Sequence, residues 1–291
     1  MIAALFRYDF LQNAVWGALL ASLACGIIGP VIVEKKLVMM SGGIAHTAFG
    51  GIGLGYYINV EPIYTALGFS LFSALSIAQI QRRTAVIPDI LIGMFWPLGM
   101  ALGLLFISLT PGYPPSMSSY LFGDILMVSD FDLLIMGILD GVLLLIVSCF
   151  YHLLQAYLFD EEFSQALGLP VILAEALTYA MIAITVVVLI RVVGIILILA
   201  LLCVPPALSR YFRSDLPGIM LLSVFLGAVF CLAGLAVSYR CDLASGAAVV
   251  ILAVSVYVVF QWLFGKEDNY KRRNREKNSG KNSVIITDNT R

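Results

Sequence analysis

The sequence predicts an all-α integral membrane protein, a polytopic bundle of about nine (eight to nine) transmembrane helices, and three observations carry that prediction. Of its 291 residues, 61% are hydrophobic and only 12% are charged, and the mean hydropathy is +0.99, whereas about a quarter of the residues in soluble domains are charged. The apolar residues come in runs that each supply the ~20 residues needed to cross a hydrocarbon core of about 30 Å. Finally, the lysines and arginines sit in alternate gaps between those runs, a segregation that the net charge of -1 conceals.

In chain order, a first span covers about Asn13 to Val33 and ends at Glu34, Lys35 and Lys36. The N-terminus MIAALFRYDF lacks the basic start, apolar middle and small-residue site of a cleavable signal, so this run reads as a permanent span. A glycine-rich second span, Gly42 to Tyr57, carries His46, and a turn at Asn59, Glu61 and Pro62 leads into a third that ends at Arg82 and Arg83. Span four opens at Pro88 and Asp89 and stops before a proline-rich loop, Pro111 to Pro115. Tyr120 to Asp130, YLFGDILMVSD, is too broken and polar for a crossing and reads as a short outer or re-entrant helix. The fifth span, Leu133 to Leu153, enters an acidic island, Phe159 to Pro170.

From Val171 to Leu208 there are 38 residues with only Glu175 and Arg191 charged. At about 1.5 Å per residue one helix would overshoot the bilayer nearly twofold, so two spans are expected, hinged between Arg191 and Gly194. Pro205 and Pro206 are expected to break the second of them. Span eight covers Gly218 to Tyr239, Arg240 to Asp242 make a turn, and span nine covers Ala244 to Phe264. Residues 1–265 form one transmembrane domain on this reading, and 266–291 a basic tail expected to be disordered near anionic headgroups. The gaps at Lys35/Lys36, Arg82/Arg83 and Arg210/Arg213, with the tail, hold 14 of the 17 lysines and arginines and alternate correctly across nine spans. The positive-inside rule then puts the N-terminus outside and both the island and the C-terminus in the cytoplasm.

The island lacks any Lys or Arg between Tyr151 and Ile190. Asp160, Glu161 and Glu162 suit the positive end of a short helix dipole, Phe163 follows, Gly168 ends that helix and Pro170 starts the next. This fits either a self-capped polar loop or a surface gripped by a soluble partner. His46 is an ionisable ring well inside a span, among Ser41, Gly42, Gly43, Ala45 and Thr47. Such a residue faces a cavity or the bundle interior, as a cation ligand or as an interhelical hydrogen-bonding group. Asp89 suits a helix start, while Asp140 and Glu175 are costly in lipid and should face protein or water. Gly51 with Gly55, and Gly99 with Gly103, form two GxxxG steps that read as packing surfaces. The five cysteines are scattered singly with neither a CxxC pair nor disulfide-like spacing. No GxxxxGK[ST], HExxH or GxSxG occurs, which counts against ATP hydrolysis by a P-loop and against protease or lipase chemistry.

Together these features resemble the membrane permease subunit of ABC-type uptake systems for zinc, manganese and iron(II). The family's basic pair followed by G-D-A-L-S-H-A compares with EKKLVMMSGGIAHTA from Glu34 to Ala48, and D-x-x-x-G with Asp89 to Gly93. Y-L-F-G-x-I-L matches Tyr120 to Leu126, and the acidic island loosely matches D-x-E-x-A-x-A-x-G-L-P. The R-V-V-G hinge matches from Arg191, and D-x-x-S-G-A matches Asp242 to Ala247. The resemblance implies a homodimeric, non-enzymatic permease in the plasma membrane of a bacterium or archaeon. It implies ATPase subunits docking on the segment around Asp160, Glu161, Glu162, Phe163 and Gly168, and an extracytoplasmic metal-binding protein. The cargo would be a divalent zinc, manganese or iron ion, with no permanently bound cofactor and no nucleic-acid partner. His46 is the implied path ligand, but the family's Asp four residues earlier is Gly42 here. Asp89, Asp140 and Asp242 are the acids that could complete the path. An importer of an organic chelate such as cobalamin or haem is the alternative within this type. A non-transporting membrane scaffold or intramembrane enzyme is the alternative of another class.

Overall fold

The computed structural model describes residues 9–84, 87–111, 123, 125–241 and 243–264. These residues are all-helical, with no strand among them. We number the helices α1 (Asp9–Glu34), α2 (Val38–Ile58), α3 (Pro62–Arg83), α4 (Pro88–Leu109), α5 (Asp130–Cys149), α6 (Tyr151–Phe159), α7 (Glu161–Ala166), α8 (Val171–Val193), α9 (Ile195–Phe212), α10 (Leu216–Cys241) and α11 (Ser245–Phe264). Eight of them are long and apolar enough to cross a membrane, and the glycine-rich α2, 21 residues long, runs among them as a ninth long helix.

α1 and α8 form the centre, with 72% of the most apolar stretch of each buried, against 17% for α11 at the periphery. Small residues put α1 there: a Cβ added to Gly26 would lie 2.6 Å from the Val224 backbone nitrogen, and one on Gly29 2.8 Å from the Leu202 carbonyl oxygen. Without a hydrophobic drive between helices in lipid, such close backbone approach is what associates them. Large apolar side chains line the outside, Phe72, Leu221 and Trp262 among them, as lipid contact requires.

The 38-residue run divides at Gly194, whose φ of 78° lies in the left-handed region that glycine adopts at low cost. Gly123, at φ 62°, packs its backbone against Val193 and Gly194. Pro205 and Pro206 do not break α9, contrary to expectation. Both are buried against neighbouring helices, Pro206 beside Gly29, and the Ser209 hydroxyl donates to the Pro205 carbonyl at 2.8 Å, so packing holds the helix where the prolines remove donors. Of Tyr120 to Asp130, the described part contains a single 3-10 turn, Ile125–Met127, before a capping box in which the Ser129 hydroxyl accepts from the Asp132 amide and starts α5. The tail from 266 and Asp242 lie outside the described residues.

Among the described residues, five ion-pair contacts agree with the alternation read from the basic residues. Lys35–Glu161 (2.9 Å), Arg82–Glu175 and Arg210–Glu34 (3.0 Å) lie at the basic end of the bundle. At the opposite end Arg191 bonds Glu61 (2.7 Å) and Asp132 (3.0 Å). Every partner lies at the end that nine alternating crossings assign to it.

Candidate functional site

α2 and α4 run in the same direction, in contact along most of their length through glycine. A Cβ on Gly43 would meet Ile92 at 2.7 Å, one on Gly99 the Thr47 Cα at 2.5 Å, and one on Gly103 the Phe49 carbonyl oxygen at 2.6 Å. On its other flank α2 meets α3, where a Cβ on Gly51 would lie 2.5 Å from the Ala66 Cα and one on Gly55 2.5 Å from the Thr65 hydroxyl. Thus the Gly51/Gly55 step faces α3 and the Gly99/Gly103 step faces α2.

This register fixes His46. Its ring stacks on Trp96 of α4, with centroids 4.1 Å apart and planes 13° from parallel, and lies 6.2 Å from the Phe49 ring. The side chain is half-buried, and its Nδ1 atom is buried without a hydrogen-bond partner. A buried ring nitrogen with no partner is energetically costly and available to an incoming ligand. One turn nearer the basic end, a Cβ on Gly42 would meet Trp96 at 3.7 Å and Leu199 at 3.8 Å, which is ordinary contact. Room for a side chain therefore exists at the position of the missing carboxylate.

Of the expected acids, Asp89 and Asp140 lie on helices other than that of His46. Asp89 sits seven residues before Trp96 on α4, about 10 Å along the axis. There it lines a cavity of about 260 Å³ at the basic end, with Lys35, Lys36, Met40 and Gln81. Asp140 is on α5, which packs against α1 and α8, and both its carboxylate oxygens are buried without a hydrogen-bond partner. Among the described residues no three His, Cys, Asp or Glu side chains converge as a metal-binding group.

The acidic island forms the six-residue α7, capped by the Asp160 carboxylate, which accepts from the Phe163 amide at 2.8 Å. Gly168 at φ 74° ends it. Phe159, Phe163 and Leu167 are exposed there, an apolar ridge flanked by acids. Glu161 reaches Lys35, whose ammonium also lies 3.6 Å from the centroid of the buried Tyr157 ring. Burial pushes the Tyr157 phenol up, so it is neutral beside this pair. Trp96 as the neighbour of His46, and Arg82 as the counter-ion of Glu175, are absent from the sequence reading. Glu175 and Arg82 lie 93 positions apart, but both fall at the basic end, and that shared end is the signal that could have paired them.

Residues 7–263 match the ABC 3 transport family. The chain belongs to that family. It is thereby an ABC-transporter permease of the metal-transport type, as the resemblance implied. An uncharacterised membrane protein of Synechocystis is 42% identical over 89% of this chain and 92% of its own length. The manganese transport system membrane protein MntC of Halalkalibacterium halodurans is 30% identical over 88% of this chain and 87% of its own. Among solved structures, PsaBC from Streptococcus pneumoniae in complex with Fab has a chain that superposes with a TM-score of 0.79 at 28% identity, covering 89% of this chain and 94% of that one.

Proposed function

We propose that this chain is the permease subunit of an ATP-driven importer of divalent transition metal ions, manganese or zinc first and iron(II) next. The observation that carries the reading is His46: a mid-helix imidazole whose buried Nδ1 has no partner, held against Trp96 in a chain of this family. Imidazole suits zinc and iron(II), while the named manganese relative keeps manganese in the first rank. A single nitrogen ligand binds weakly, which suits a path that must also release its ion.

Cytoplasmic ATPase subunits engage α7 through Phe163, Leu167 and the flanking Glu161 and Glu162. The assembly contains two copies of this chain in a prokaryotic plasma membrane and receives metal from an extracytoplasmic binding protein. Closure of the ATPases displaces α7. Through Glu161 and Lys35 that displacement reaches the three-residue turn before α2, the helix that carries His46.

The test is accumulation of manganese, zinc and iron by cells expressing the chain with its ATPase and binding protein. Selective uptake of one metal that falls at least tenfold in His46→Ala and in Glu162→Ala supports the reading. Absence of uptake of any metal while the ATPase is bound and active refutes it in favour of a chelate importer.

A further inference from the structure

A metal-binding imidazole is ordinarily oriented through its second nitrogen, whose hydrogen bond to a carboxylate or a carbonyl fixes the plane of the ring. Among the described residues no such group serves the Nδ1 atom of His46, which is buried without a partner. One turn earlier on α2, where the family's motif has an acid, stands Gly42. What the ring has instead is an aromatic face. The Trp96 indole lies within 13° of parallel to it with centroids 4.1 Å apart, nearer than the Phe49 ring at 6.2 Å. His152, the other histidine, meets Tyr151 edge-on at 72°. The same indole extends over the neighbouring turn, since a Cβ on Gly42 would lie 3.7 Å from its six-membered ring. A single side chain of α4 therefore spans positions 42 and 46 of α2. It is seated there by the glycine seam, because Gly99, three residues on, rests against Thr47.

We propose that Trp96 is the positioning residue for His46, its indole face holding the imidazole edge-on to an arriving cation in place of the usual hydrogen bond. The proposal rests on the importer reading above. A metal ion binds a neutral imidazole through the lone pair of one ring nitrogen, which lies in the ring plane. Fixing the plane therefore fixes the line of approach, whichever nitrogen holds the hydrogen. The outer torsion of a histidine is otherwise broad, and turning this ring out of the stack would drive its edge into the indole. Trp96 supplies no ligand atom, because the indole nitrogen is a donor only. Its hold tightens on binding: an imidazole that donates to a cation becomes electron-poor, and the negative face of an indole favours such a ring. Leucine at this position would fill space without either effect. Phenylalanine would keep a flat, negative face of smaller area.

The full chain purified in lipid nanodiscs tests this, with the exposed His152 changed to glutamine so that His46 is its one histidine. The ring protons of labelled His46 are followed by NMR without metal, and zinc and manganese are then titrated in turn by calorimetry. In this parent chain the stacked indole should shift the His46 ring protons upfield. Trp96→Leu is expected to abolish that shift and to weaken metal binding by about tenfold, the loss typical when the group orienting a metal-binding imidazole is removed, with a cooperative melt retained. Trp96→Phe should keep part of the shift and bind within about twofold of the parent, because a flat aromatic face remains. Metal binding in Trp96→Leu equal to that of the parent overturns the proposal. So does Trp96→Phe binding as weakly as Trp96→Leu, which would make the bulk of the indole and not its face the operative feature. A parent chain that shows the upfield shift yet binds neither metal refutes the importer reading instead, since the shift needs no cargo.

Discussion

Replacing Gly99 with alanine adds one methyl group where α4 touches α2. Its carbon would sit 2.5 Å from the Thr47 Cα and 3.2 Å from the His46 carbonyl oxygen, both backbone atoms that cannot rotate away. Carbon atoms rest about 3.5–4.0 Å apart, so α4 must withdraw by about 1 Å. Overpacking of this kind costs about 1–3 kcal/mol. For a chain of this size each kcal/mol moves the melting temperature by about 2 °C or more, and a fall of about 2–8 °C is expected in a thermal melt of the detergent-solubilised protein. The same withdrawal parts Trp96 from His46, less than one turn away, and should change the tryptophan emission. Gly137→Ala and Gly141→Ala are the matched controls. Nothing lies within 4 Å of either added carbon, and the gain in helix propensity of about 0.5–1 kcal/mol should leave the melt unchanged or slightly higher. If Gly99→Ala melts together with these controls, the glycine seam does not set the α2–α4 distance and the account of how His46 is positioned fails.

Gly42→Asp should fold, because its Cβ has ordinary clearance from Trp96 and Leu199, and should put a carboxylate one turn from His46 on the same face. Manganese affinity, read by calorimetry on the purified chain, is expected to rise at least tenfold, and an unchanged affinity would refute the placement of the two side chains. Lys35→Gln removes the contact with Glu161 and the charge over Tyr157. Glu161 is 42% exposed, so stability should fall by no more than about 1 kcal/mol, while metal uptake per ATP hydrolysed should fall severalfold; equal coupling in variant and parent would exclude Lys35 from the relay.

Hydropathy made the spans legible, and chain length alone required the division that Gly194 supplies. Charge alternation was legible as well, and it contained more than orientation. Arg191, a basic residue at the end where few occur, had to meet an acid of that same end, and Glu61 and Asp132 are there. What stayed hidden depends on packing between distant segments. Pro205 and Pro206 read as a break because sequence does not show that α1 supports the helix there. The stacking of Trp96 on His46 depends on the register of two parallel helices, set by glycines whose partners no local pattern names. Asp89 and Asp140 were plausible companions of His46 by residue type, and sequence alone does not name the helix faces that would bring them to a common path.

The bareness of α2 has a mechanical side. Gly43 and Gly50 are notches that receive the side chains of Ile92 on α4 and Phe69 on α3, and Gly53 lies against the Gly103 backbone, so α2 is keyed to both neighbours, and interlocked helices must climb over one another to move past. Sliding along its own axis would drive those side chains against the next turn of backbone, so the notches hold this helix in register. On the import reading, a push at the Lys35 turn would move α2 together with α3 and α4, and the imidazole would keep its place against Trp96.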